Sequence, residues 1–269
     1  VSYDKGYVCD FDKDQVEHLN IVKFDFLGLK TLNIVGRTRR LIKKNHGVDV
    51  STDMYKLDDP EVYADFRRGD TITVFQFEGG GITGLTKKVR PTKFEHLVAI
   101  TALYRPATLS SGEAWLYADR ASGKEKPYYE NRLEKILLGE TYNIITFQEQ
   151  TMQIAHEFAG WDYGIGDKLR KSSTEQLEDM RDKFIDDSIA RHPDLEEEYL
   201  DALWDRVVEY MGYGFNKSHA VAYTTLSYAC AWLKHHYPLE WFASNLQRAD
   251  KEEFPNLIRE LKDLSLIHI

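Results

Sequence analysis

Helix start and stop signals recur along this chain from Gly28 to Pro238 and leave little room for sheet. After Gly28, residues Leu29, Leu32, Val35, Leu41 and Ile42 approximate a helical stripe. Asp59-Pro60-Glu61 reads as an N-cap with proline at the first helical position, opening a short helix to about Arg68. Gly79-Gly80-Gly81 is a turn that opens the next helix. Such a triplet can cradle phosphate, but this one lacks the Lys-Ser/Thr ending of a Walker loop. Residues 92–104 are apolar with a helical period, with Phe94, Leu97, Val98, Ile100 and Leu103 as core candidates. Tyr104-Arg105-Pro106 ends that helix, because the residue before proline leaves the α region.

Gln148 to Phe158 is expected as a helix with Met152, Ile154, Ala155 and Phe158 inward and Gly160 just past its end. Asp162 can cap the next helix, two acidic helices broken near His192-Pro193 follow, and Asp201 to Tyr210 continues helically until Gly212-Tyr213-Gly214. Ser218 is read as the cap of a long helix to about His236, with Tyr237-Pro238 as its stop. Between these, Asn45 to Asp59 is turn-like and Thr71 to Phe77, β-branched and aromatic, is a strand or an extended segment. Leu109-Ser110-Ser111-Gly112 is a polar loop, and residues 113–142, of mixed charge, pass over the surface. Ile144 to Phe147 is a short extended piece. The fold class is α+β, predominantly α-helical, with a little sheet at the front.

That sheet is expected at Ile21-Val22-Lys23-Phe24-Asp25-Phe26-Leu27-Gly28-Leu29, a strand that stops at a glycine and runs into a helix. Alternation puts Val22, Phe24 and Phe26 on the buried face and Lys23 and Asp25 on the other, roughly 7 Å apart. A cation and a carboxylate side by side suit a phosphate and a metal, since Mg²⁺ takes carboxylate and phosphate oxygens. Read alone, a surface ion pair is the simpler account.

The 269 residues are 42% hydrophobic and 29% charged, the proportions of a globular protein with a core, and enough for one large domain or two ordinary ones. No apolar run approaches a membrane span. Cys9 and Cys230 make neither a disulfide framework nor a zinc pattern and fit a reducing compartment. The net charge of −9 is uneven: residues 174–210 carry thirteen acids against four Lys/Arg, the whole excess, whereas residues 23–45 carry seven Lys/Arg and one acid. A phosphate footprint can sit on a chain that is acidic overall. The start has no initiator Met, and Leu264-Ser265-Leu266-Ile267-His268-Ile269 resembles a translated adapter tail, so both ends are expected to be cut and those last residues non-native.

The most chemical-looking loop is Tyr213-Gly214-Phe215-Asn216-Lys217-Ser218-His219-Ala220. It combines a helix N-terminus, a lysine and two aromatic faces, which suits phosphate and stacked bases, or equally a capped helix over buried aromatics. Arg170 and Lys171 are adjacent cations on a short helix, and Arg105 ends another, where it can satisfy carbonyls. Glu149 at a helix start suits that helix's dipole. His156, His219, His235 and His236 make no metal spacing with a cysteine and read as structural or solvated.

Five blocks, in order, resemble the bacterial replicative DNA polymerase III alpha subunits, the C-family polymerases. They are Lys23 to Leu32, Val74 to Glu78, Ala102 to Pro106, Phe147 to Ala155 and Gly212 to Ala220, joined by Trp232-Leu233-Lys234 and Tyr237-Pro238. The resemblance covers about residues 15 to 250 and implies the C-terminal part of a palm (1–45), a multi-helix fingers domain (46–250) and the start of a following region (251–269). By resemblance, Asp25 is a catalytic ligand of the two Mg²⁺ ions and Lys23 contacts the nucleotide triphosphate. Arg170 and Lys171 match a fingers arginine pair facing that triphosphate. Arg105 and the loop of Tyr213, Asn216, Lys217, Ser218 and His219 lie on the nucleotide-facing side.

The same resemblance implies primer-template DNA and deoxynucleoside triphosphates as substrates, a sliding clamp and replisome subunits as partners of regions outside this chain, no membrane, and a bacterial cytoplasmic location, host- or phage-encoded. Two departures stand out. Ser172-Ser173-Thr174-Glu175-Gln176 replaces the family's basic run, and Arg105-Pro106-Ala107-Thr108 replaces its Arg-Pro-Gly-Pro. The family's Asp-x-Asp pair lies upstream of this region; Asp10-Phe11-Asp12 has the spacing but lies too close to Asp25. The expected function is therefore one part of a two-metal DNA polymerase, inactive alone. The competing reading is a polymerase-derived module that holds nucleic acid or a partner without catalysis.

Overall fold

Glycine and proline punctuation cuts the chain into short helices, which pack into two lobes. The structure, a computed structural model, describes residues 2–3, 6–7, 9–19, 21–22, 28–169, 172–211, 214–249 and 254–263. In chain order the helices are α1 (Lys13–His18), α2 (Lys30–His46), α3 (Pro60–Arg68), α4 (Gly80–Val89), α5 (Phe94–Leu103), α6 (Pro106–Ser110), α7 (Glu113–Ala121) and α8 (Arg132–Leu138). There follow α9 (Gln148–Ala159), α10 (Tyr163–Leu169), α11 (Thr174–Asp179), α12 (Arg181–Arg191), α13 (Glu197–Met211), α14 (Lys217–His236), α15 (Pro238–Leu246) and α16 (Phe254–Asp263). Among the described residues the strands are β1 (Ser2–Tyr3) and β2 (Gly6–Tyr7), an antiparallel pair.

Several boundaries follow from the chemistry that the sequence announces. Asp59 accepts hydrogen bonds from the Glu61 and Val62 N–H groups (3.0 and 3.5 Å), with Pro60 opening α3. Asp162 accepts from Ile165 at 3.0 Å ahead of α10, and Gly160 closes α9 at φ 72°. The triple glycine does open α4, and its reason is packing: a Cβ on Gly81 would stand 2.0 Å from the Tyr104 hydroxyl.

Other expectations are corrected. Ile21 and Val22 belong to no strand; Val22, expected on a buried face, is 71% exposed, and the Ile21 N–H turns back to the Val16 carbonyl (3.1 Å). A strand needs a neighbour for its ladder, and the β1–β2 pair does not reach this stretch; residues 23–27 of the expected strand lie outside the described residues. Thr71 to Phe77 is a run of turns: Val74 donates to Thr71 and Phe77 to Val74 (3.0 and 2.9 Å), with positive φ at Thr73 and Gln76. Its apolar residues serve burial, not pairing, for Val74 and Phe77 are fully enclosed. Leu109 and Ser110 belong to α6, because Pro106 both ends α5 and occupies the first turn of a new helix. Residues 113–142 contain α7 and α8, which bury Ala114, Tyr117, Ala118 and Leu138.

Lobe one joins α2–α7 to α14–α16 around Phe66, Phe77, Tyr117, Tyr228 and Trp241. Lobe two is α8–α13, built on Phe158, Trp161, Phe184 and Trp204. Lys234 on α14 ties lobe one together: its buried ammonium donates to the Asp70 and Ile72 carbonyls (3.2 and 3.1 Å) and pairs with Glu260 (2.7 Å). A small third cluster of Val98, Ala102, Phe147 and Ala220 fills the seam between the lobes.

Candidate functional site

The seam brings together three stretches far apart in sequence. Phe147 at the start of α9 and Phe215 ahead of α14 form a parallel bridge, with the Gln148 N–H donating to the Phe215 carbonyl at 2.9 Å. The Gln148 side chain donates to the Gly214 carbonyl (2.9 Å). Here glycine is required by close approach: a Cβ on Gly214 would stand 2.7 Å from Gln148 Cγ. From the junction of α5 and α6, Arg105 lays its guanidinium over the Phe215 ring at 4.8 Å and donates through Nε to the Ala102 carbonyl (2.8 Å). Burial lowers its pKa from the ordinary arginine value; the group stays cationic.

Tyr210 locks the seam from lobe two. Its hydroxyl donates to the Thr146 carbonyl and accepts the Phe215 N–H at 2.9 Å. Burial raises its pKa above the ordinary tyrosine range, so it remains a phenol able to donate. Gln150 closes the other side, accepting from the Thr146 and Phe147 N–H groups (2.8 and 3.0 Å) and donating to Thr141 (2.8 Å).

The N-terminus of α14 is occupied from within the chain. Glu149 of α9 accepts the Lys217 N–H (3.1 and 3.0 Å to its two oxygens) and the Asn216 side-chain amide (2.9 Å). The helix cap is Asn216, whose Oδ1 accepts the His219 N–H at 2.8 Å. Ser218, expected to be the cap, sits exposed in the first turn. The Lys217 ammonium pairs with Glu140 (2.7 Å) and lies 5.4 Å from the Phe147 ring centroid. His219 faces the rings of Tyr223 and Phe215 at 4.1 and 5.6 Å.

Of the residues singled out in the sequence, Arg105, Asn216, Lys217, Ser218 and His219 thus gather at one seam. Asp25, Lys23, Arg170, Lys171 and Tyr213 lie outside the described residues. The chain enters the Arg170-Lys171 pair from α10, whose Leu169 is buried, and leaves it at Ser172. The sequence does not point to Glu140, Gln148 or Tyr210. Glu149 suited its own helix dipole, and nothing local says that its carboxylate serves α14. The other histidines hold structural contacts: His235 meets Asp65 and His236 meets Asp59, each at 2.8 Å. Among the described residues no group of three or more His, Cys, Asp or Glu could hold a metal ion. No helix of the described residues is long and apolar enough to cross a membrane.

Residues 31–192 match the family described as the bacterial DNA polymerase III alpha subunit finger domain. The chain belongs to that family. It is 41% identical to the DNA polymerase III subunit alpha of Aquifex aeolicus over 268 residues, 97% of this chain and 23% of the relative. It is 36% identical to that of Thermus aquaticus over 269 residues (96% and 22%), and 39% identical to that of Pasteurella multocida over 266 (92% and 23%). The chain therefore spans less than a quarter of the length of these curated relatives. The family match covers α2 through α12, so the Phe147 to Glu149 half of the seam falls within it and the Phe215 to Lys217 half beyond it.

Proposed function

We propose that this chain is a fingers-bearing piece of a DNA-directed DNA polymerase that also supplies one catalytic carboxylate, Asp25. The observation that carries the reading is convergence. Arg105, Phe147 to Glu149 and Phe215 to Lys217 come from three of the stretches that resemble the polymerase family, and they meet at one interlobe seam. Residues 1–45 are then the end of the palm, 46–250 the fingers and 251–269 the start of the next region. The parent joins a primer 3′-OH to the α-phosphate of a deoxynucleoside triphosphate and releases pyrophosphate. Lys23, Arg170 and Lys171 face the triphosphate, and the loop from Tyr213 to His219 stands beside the nascent base pair. A triphosphate arriving at α14 competes with Glu140 and Glu149 for the Lys217 ammonium and N–H.

The described residues do not make a Mg²⁺ site by themselves. Asp25 contributes one ligand to a two-metal site whose other carboxylates belong to the parent's Asp-x-Asp. The sliding clamp and other replisome subunits bind the parent elsewhere, in the bacterial cytoplasm. The test uses the full-length parent: Asp25→Ala abolishes primer extension while leaving DNA affinity within about twofold. Synthesis surviving in that variant removes Asp25 from the site, and primer extension by the 269 residues alone overturns the division of labour.

A further inference from the structure

The outer side of α2 is cationic: Lys43 pairs with Asp49 at 2.7 Å, whereas Arg37, Arg40 and Lys44 have no carboxylate partner among the described residues. We infer that Arg37, Arg40 and Lys44 of α2 grip the phosphate backbone of duplex DNA, an inference that rests on the polymerase reading above. The 17 residues of α2 include Lys30, Arg37, Arg39, Arg40, Lys43 and Lys44 and no acid. Val35, Thr38 and Ile42 face the core. At 3.6 residues per turn, Arg37, Arg40 and Lys44 lie together on the opposite side, spread over about 10 Å of helix axis. That span reaches two or three successive phosphates of one strand.

With 44 Asp and Glu against 35 Lys and Arg, carboxylates are plentiful, and Arg68, Arg120, Arg181, Arg206, Lys183 and Lys217 all have carboxylate partners. Among the described residues no carboxylate pairs with Arg37, Arg40 or Lys44, of which Arg40 and Lys44 are exposed and Arg37 is half-buried. Such cations, three and four residues apart, repel one another. The helix dipole favours Lys43 and Lys44 in the last turn, but its effect fades before Arg37 and Arg40. A polyanion accounts for Arg37, Arg40 and Lys44 together.

The chemistry selects the duplex. A helix lying on a membrane needs a broad apolar face, and α2 spends its apolar residues on the core, leaving Leu32 as its exposed large one. Single strands are held by aromatic platforms, and α2 has no Phe, Tyr or Trp.

The experiment titrates the 269-residue chain against a fluorescent duplex of about 20 base pairs between about 50 and 200 mM NaCl. Arg37→Gln/Arg40→Gln/Lys44→Gln should weaken binding at least about tenfold and flatten the slope of log K against log salt by about 2 to 3. Arg40→Gln alone, a minimal surface change, should flatten it by about 1. The control Arg68→Gln/Lys124→Gln/Lys183→Gln removes the same charge from paired, exposed sites and should change the slope by less than a third as much. The inference falls if the control matches the α2 variant, if the slope is unchanged, if the wild-type chain does not bind duplex, or if it prefers oligo-dT or phosphatidylglycerol vesicles. None of these outcomes touches Asp25→Ala in the parent, so the two readings fail separately.

Discussion

His96 carries a proton-linked stability that can be read atom by atom. It is buried at 3% exposure, its Nδ1 accepts the Thr92 N–H (3.2 Å), and its Nε2 meets the Tyr142 hydroxyl at 2.7 Å. A backbone donor on Nδ1 fixes the neutral tautomer with hydrogen on Nε2. Protonation would charge a buried ring and break the Thr92 bond. Burial, reinforced by nearby Lys93, lowers the pKa to about 4 from 6.5. The folded pKa lies below the unfolded one, so the unfolded chain takes up the proton first as pH falls. Stability is fully present above about pH 6.5 and declines toward pH 4, by up to roughly 3 kcal/mol from this residue. Urea unfolding of wild type and His96→Gln at several pH values checks this. The variant should be less stable at pH 7.5 and lose about 2 to 3 kcal/mol less than wild type between pH 7 and 4.5. Parallel losses in the two proteins would remove His96 as the source.

At the scale of elements, capping chemistry decides how α14 begins, and it separates two side chains the sequence cannot. Asn216 and Ser218 are both ordinary N-cap residues, but Asn216 accepts the His219 N–H while Ser218 stands exposed. Asn216→Ala should therefore cost about 1 kcal/mol and Ser218→Ala close to nothing. Glu149→Ala should cost about 1 to 2 kcal/mol, since it strands the Lys217 N–H at a lobe boundary. Denaturant midpoints rank the three; equal losses at 216 and 218 would refute the assignment of the cap. The same contrast shows what was legible. The starts and stops at Asp59-Pro60, Pro106, Gly160 and Pro238 are local, because a cap or a missing N–H acts within one turn. The turns at Thr71 to Phe77 were not, since β-branched and aromatic residues suit burial in any backbone shape. Nor were α7 and α8, whose charged outer faces hide Tyr117 and Leu138 beneath them.

The arrangement of the whole molecule depends on contacts that leave no mark in local pattern. Lobe one is closed by residues from opposite ends of the chain: Tyr228 donates to the Lys56 carbonyl at 2.6 Å and Trp241 to Thr73 at 2.8 Å. Lobe two is inserted between them: the chain passes into it after α7 and returns to lobe one at α14. The site was legible as separate motifs because each carries its own residue types. That Arg105, Glu149 and Lys217 share one place is a product of the insertion. Phe147 is the side chain on which the two lobes depend most directly, being 1% exposed, bridged to Phe215 and packed with Val98 and Ala220 of lobe one. Removing a buried phenyl costs about 3 to 5 kcal/mol. At this position the cost falls on coupling, since both cores keep their own aromatic clusters. The wild-type chain should unfold in urea with coincident tryptophan-fluorescence and far-ultraviolet circular-dichroism transitions. In Phe147→Ala the two probes should separate. With both proteins carrying Trp115→Phe, Trp232→Phe and Trp241→Phe, which silence the lobe-one tryptophans, Trp161 and Trp204 report lobe two, while the longer helices α2 and α14 of lobe one weigh more heavily on the dichroism. Coincident transitions in the variant would mean that Tyr210, Gln148 and Glu149 hold the lobes together without the ring.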